Sequence, residues 1–169
     1  MRRLIFILAL ASAACAPRQP EANESTATNA VAANPQLRGA EPATSASAQA
    51  ARALAVRYFD LIEQGDYAKA RQLWGHEGAD VGGDAAALGK VYSRFSRYEP
   101  VVGLPTEVHA ADGRQYVNVA VKVRATLAGT GRVLEQEGPV MMRRSADPSA
   151  KEPGEREWSI WGVDIRSKH

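Results

Sequence analysis

Two periodicities divide the chain. Over "QYVNVAVKVRATL", residues 115–127, the odd positions Val117, Val119, Val121, Val123, Ala125 and Leu127 are apolar, and the even ones include Asn118, Lys122, Arg124 and Thr126. A period of two sends successive side chains to opposite faces, so this segment predicts a strand buried on one face and wet on the other. Upstream the period is 3.6. From about Gln49 to Gln64, the residues Ala51, Leu54, Ala55, Tyr58, Phe59, Leu61 and Ile62 fall on one helical stripe. Arg52, Arg57, Asp60, Glu63 and Gln64 lie opposite, with Val56 as the misfit. Gly65 ends that helix, and Asp66 is a good cap for a short second one, Tyr67 to Trp74. A third helix is expected from Asp84 to about Arg97. Leu88, Val91, Tyr92 and Phe95 follow the i, i+3, i+4, i+7 rule there, and Pro100 closes it.

Turn chemistry predicts partners for the long strand. "TEVHA" leads through Asp112-Gly113, a hairpin signal, and "AGTGR" is the turn that follows residue 127. "VLEQEGPVMMR" reads as a strand with a bulge or bend at Gly138-Pro139. "SADPSAKEPGERE" is a polar loop and "WSIWGVDI" the last strand, with Trp158 and Trp161 on opposite faces if that strand is regular. Helices come first and antiparallel strands after. The expected class is α+β, with N-terminal helices packed on a curved antiparallel sheet in a cone-like shape.

The first 48 residues do not fit either period. Arg2 and Arg3 precede an apolar run, "LIFILAL", and then the small residues Ala11 to Ala14. This is the three-part layout of a signal peptide, and the run is too short for a spanning helix of roughly 20 residues. Residues 17–48 are rich in Ala, Ser, Thr, Asn and Pro, with Val31 and Leu37 as the only branched aliphatics. Such a stretch cannot bury enough apolar area to offset the entropy of ordering, so a flexible tether is expected, reaching roughly 30 Å. The expected organisation is a signal peptide at 1–14, a modified cysteine and tether at 15–48, and one α+β domain at 49–169.

Charge changes little once the leader is discounted. The chain of 169 residues has 21 basic and 19 acidic side chains, and the surplus is Arg2 and Arg3. A balanced remainder gives no excess of cations to release phosphate counterions, so nucleic acid is not expected as a partner. "YSRFSRY" at 92–98 interleaves rings with arginines, but on the expected helix Tyr92 and Phe95 take one side and Arg94 and Arg97 another.

Cys15 is the only cysteine, and no internal disulfide is open to it. Ser12-Ala13-Ala14-Cys15 resembles the lipobox of bacterial lipoproteins, with Ser12 where that family most often has Leu. The resemblance implies cleavage after Ala14 and fatty acylation of Cys15, palmitate among the acyl groups. It also implies a periplasm-facing, membrane-anchored envelope protein. Ala16 rather than Asp after the cysteine leans toward the outer membrane. Ala14-Cys15-Ala16 also satisfies the small-x-small rule of plain secretion, in which Cys15 would be discarded.

The segment "ARALAVRYFDLIEQGDYAKARQLW", the long alternating strand and the closing "WSIW" strand together resemble the nuclear-transport-factor-2-like superfamily over nearly all of 49–169. A cystatin-like arrangement is the nearest alternative. The resemblance implies a cone whose interior binds a small apolar ligand or a protein, with Leu54, Tyr58, Tyr92, Phe95 and Trp161 as pocket candidates. Enzymes of the superfamily (isomerases, dehydratases and hydrolases) place an Asp or His base with a Tyr or a second Asp inside that cone. Here the corresponding candidates are Asp164 with Tyr58 or Tyr92, and Asp164 beside Arg166 reads equally as a surface ion pair. An oligomerisation module is a third reading and predicts an exposed apolar sheet face; the oligomeric state is left open.

Other motifs carry little. "HEGAD" at 76–80 lacks the second His of a zinc-protease helix, His109 sits in a strand, and His169 is terminal, so no metal is expected. "GGDAAALGKV" only superficially resembles a phosphate loop, and Asp84 as a helix cap accounts for it better. "GTGR" is a turn, Met141-Met142 is filler, and no cofactor is expected.

Overall fold

A computed structural model describes residues 40–75, 83–151 and 154–167. Helix α1, Ala46–Glu63, is capped by Ser45, whose Oγ accepts from the Ala48 N–H at 3.1 Å. Its buried stripe is graded in size. Ala48, Ala51 and Ala55 come first and let the helix approach the sheet; Tyr58, Phe59 and Ile62 follow. The helix starts before the expected Gln49, and residues 40–48 belong to the folded part rather than to the tether. Glu41 and Val108 exchange backbone hydrogen bonds of 2.7 and 2.8 Å, and Ala48 is fully buried.

Helix α2, Tyr67–Gln72, begins as expected at Asp66, whose carboxylate accepts from the Lys69 N–H at 3.2 Å. It stops short of Trp74. Leu73 and Gly75 instead bond to Ile160, so that Trp74 lies parallel to the last long strand.

Helix α3, Ala85–Tyr92, is capped by Asp84, which accepts from the Ala87 N–H at 2.8 Å. The expectation that it reaches Arg97 is corrected. The chain turns at Ser93 and enters strand β1, Phe95–Pro105. Phe95 therefore lies in a strand, and Val91, read as core, is 51% exposed. Pairing of β1 with the long strand overrides a helical period that Ser93 and Ser96 support poorly. Pro100 is tolerated because β1 is an edge strand.

Strand β2, His109–Ala111, turns through Asp112 (φ 51°) and Gly113 (φ 71°) into β3, Arg114–Leu127. Two successive positive φ angles are what a two-residue hairpin needs. In β3, Val117, Val119, Val121, Val123 and Ala125 are buried, and the residues between them face outward. Strand β4, Val133–Ser145, pairs with β3 without interruption from Thr126↔Val133 to Arg114↔Ser145. The bend expected at Gly138-Pro139 is absent from that ladder and appears in the neighbour. Strand β5, Ser159–Val163, pairs with 140–143 and strand β6, Arg166–Ser167, with 136–137. Between them residues 164–165 stay on the same edge of β4, opposite Gly138-Pro139, and break the ladder there. Pro139 has no N–H to offer there, and its carbonyl accepts from Asp164 N at 3.0 Å.

The result is α+β: helices packed on a curved, unclosed six-stranded antiparallel sheet of order β1-β3-β4-β5, with β2 on β3 and β6 on β4. The core lies between α1 and the inward residues of β3 and β4. The outer face carries charged rungs, with Glu99, Arg124 and Glu135 in cross-strand register.

Candidate functional site

A cavity of about 240 Å³ lies between the C-terminal half of α1, α3 and the inward side of the sheet. Each wall has a local origin. Tyr58 is on the buried stripe of α1, Leu88 and Tyr92 are on α3, and the early turn out of α3 delivers Phe95 and Tyr98 from β1. Val163 ends β5, and Ile165 comes from the break between β5 and β6. Gln136 is supplied by β4, opposite the buried Val123 in the ladder, at a position whose parity points inward.

The aromatic side chains interlock. Tyr58 meets Trp74 edge-on at 6.2 Å between centroids, Tyr92 meets Tyr98 edge-on at 5.1 Å, and Phe95 lies 5.5 Å from Tyr98. Such tilted contacts pair ring edges with ring faces. The Tyr58 and Tyr92 hydroxyls are 3.1 Å apart and share a hydrogen bond. Burial pushes the Tyr58 hydroxyl up to about 12, with the Tyr92 hydrogen bond opposing the rise. Tyr92 and Tyr98 are raised further, first by burial and then by the proximity of a neighbouring tyrosine. All three are neutral phenols at ordinary pH: they orient a polar group and are poor sources of a base.

The wall carries two donor-only groups, the Arg94 guanidinium and the Trp74 indole, beside tyrosine hydroxyls and the Gln136 amide that can donate or accept. Arg94 extends over the Phe95 ring at 4.7 Å, and its backbone is held by the hydrogen bond from Ala128 N to its carbonyl at 2.9 Å. The Trp74 indole N–H is buried and acts on the Tyr58 hydroxyl, yet no partner meets hydrogen-bond geometry with it. Arg94 is the one charged residue among the described lining residues.

The candidates from sequence divide. Tyr58, Tyr92 and Phe95 are brought together on this cavity. Leu54 is not: it lines a separate, wider groove of about 750 Å³ with Arg57, Trp158 and Glu157. Trp161 is 41% exposed and packs edge-on against Tyr116. The β4–β5 register shifts between Met141 and Met142, so the regular alternation assumed for "WSIW" does not hold. Trp158 is the half-buried indole, donating to the Ser47 carbonyl at 3.0 Å beneath the Arg144 guanidinium. Asp164 does not line the cavity. Its carboxylate takes two hydrogen bonds from Arg166, one of them 2.9 Å from Nη2, and no dyad with Tyr58 or Tyr92 is assembled.

Cys15, Ala14 and the "HEGAD" segment lie outside the described residues. Among the described residues no group of His, Cys, Asp and Glu has the arrangement of a metal site, and no helix is long and apolar enough to cross a membrane. Arg94, Tyr98 and Gln136 were not anticipated. For Gln136 the signal was available, because parity within "VLEQEGPVMMR" puts it on the same face as Val140 and Met142.

Comparison of the chain with family models, curated proteins and solved structures finds no match.

Proposed function

We propose that this chain is a binding module for a small, mainly apolar molecule, held at the bacterial cell envelope by a lipid on Cys15. The observation that carries the binding half is the ring-walled cavity with neutral hydroxyls at its edge. Apolar walls with a few fixed polar groups are the usual make-up of small-molecule sites. At about 240 Å³ the cavity is below the roughly 300 Å³ at which drug-sized pockets begin, which suits a ligand of about ten non-hydrogen atoms. The anchoring half rests on the lipobox-like Ser12-Ala13-Ala14-Cys15, and the cone-like architecture accords with the nuclear-transport-factor-2-like resemblance. The enzymatic reading would need Asp164 beside a tyrosine, and the Arg166 pair holds that carboxylate elsewhere.

Two measurements test the proposal. In cell fractionation the wild type partitions with membranes and Cys15→Ser does not; identical partition of the two defeats the anchor. In titration with a neutral naphthalene probe the full chain binds saturably and Leu88→Trp, which fills the cavity, does not. Saturable binding unaffected by Leu88→Trp defeats the cavity as the site.

A further inference from the structure

We infer that the molecule bound in this cavity is an anion, a small carboxylate with an apolar body, whose charge is met by Arg94 at the cavity wall. The inference rests on the ligand-binding reading above and adds the charge of the ligand. Three observations carry it. Arg94 lines the cavity and, among the described residues, is paired with no carboxylate, whereas its neighbour Arg97 is bonded to Glu99 at 2.8 Å. Its guanidinium lies 4.7 Å from the centroid of the Phe95 ring, a wall residue, which biases this exposed cation toward the opening. One further wall group is donor-only: the buried Trp74 indole N–H, which no partner meets at hydrogen-bond geometry; the tyrosine hydroxyls and the Gln136 amide, which donates to Ser167 Oγ at 3.4 Å, can donate or accept. A cation and a donor-only indole beside apolar walls complement an acceptor that carries negative charge. A guanidinium meets the two oxygens of a carboxylate in a fixed fork, which favours that group over a single-point acceptor.

The chemistry specifies the probes. Phenylacetate and phenylacetamide have nearly the same shape and differ in charge. Each is titrated into the full chain, with the methyl resonances of Leu88, Val163 and Ile165 reporting occupancy of the cavity. The acid should bind about tenfold more tightly than the amide, in line with a charge-assisted hydrogen bond. Arg94→Gln should bring the acid down to the affinity of the amide and leave the amide unchanged. Arg94→Lys should keep part of the preference, and Arg97→Gln should keep all of it. Equal binding of acid and amide to the wild type, or a preference for the acid that survives Arg94→Gln, overturns the anion inference and leaves the binding reading standing. If neither compound moves the three methyl groups, both fall.

Discussion

Gly138→Ala tests whether the break between β5 and β6 shapes the cavity. A Cβ at position 138 would lie 1.8 Å from the Asp164 carbonyl oxygen, 2.8 Å from its carbonyl carbon and 3.1 Å from Ile165 Cα. Real Cβ contacts essentially never fall below 3.0 Å, so the backbone at Asp164 must retreat by about 1.2 Å. It cannot do so freely, because Asp164 N is bonded to the Pro139 carbonyl and β6 follows at once. Overpacking against main chain costs about 1–3 kcal/mol and at times more, and removing a glycine from a strand returns roughly 0.5–1 kcal/mol. The net loss should be about 1–2 kcal/mol, or roughly 3–10 °C in Tm for a domain of this size. Gly162→Ala is the matched control. Its Cβ would meet the Met141 methyl at 2.4 Å, the far end of a flexible side chain, and its effect should stay within about 0.5 kcal/mol. Urea denaturation of the two variants gives the comparison, with the m value checked for constancy. Ile165 is a wall residue, so Gly138→Ala should also weaken probe binding in the cavity. A Gly138→Ala protein as stable as wild type would refute the close approach of Asp164 to Gly138 and the wall built on it.

Further expectations follow from the caps and the tyrosines. Asp84→Ala removes the acceptor of the Ala87 N–H and should cost about 1 kcal/mol in urea denaturation, with Asp84→Asn losing much less. The Asp66 carboxyl is held below its ordinary value, first by the Lys69 ammonium and then by the Lys69 backbone N–H. Its contribution is therefore present above the unfolded-state pKa and is lost as pH falls toward the folded one, so the stability gap between wild type and Asp66→Asn should close on acidification. The buried phenols titrate the other way. Between the usual tyrosine value near 10 and the Tyr58 value of about 12 the unfolded chain releases protons that the folded one keeps, so stability should fall as pH rises through that window. Tyr92→Phe should flatten the fall, and an ultraviolet phenolate titration should show Tyr58 ionising only above it.

Local signals hold in α1 and β3, where one face of one element decides the outcome, and at the caps and the hairpin turn. The alternation of β3 survives residue by residue from Val117 to Ala125, and Asp66 and Asp84 cap the helices that follow them. The Asp112-Gly113 hairpin forms with both residues at positive φ. Errors fall where two elements compete for the same residues. "VYSRF" satisfies a helical period, yet Phe95 is paired with Leu127 across the sheet, and the helix ends at Tyr92. The candidate site was half legible for the same reason. Tyr58 and Tyr92 lay on stripes that could be drawn, whereas Tyr98 and Arg94 entered only because β1 starts early.

Sequence alone determined the buried face of β3, the buried stripe of α1 and which local turns and caps are possible, because those depend on side-chain chemistry at a fixed spacing of 3.6 or 2. Tertiary structure decided where α3 yields to β1, that the break opposite Gly138-Pro139 falls in the neighbouring strand, and that Asp164 turns to Arg166 rather than to a tyrosine. Those outcomes depend on register between segments distant in the chain. A one-residue shift there, such as the one between Met141 and Met142, reverses which face every later side chain occupies.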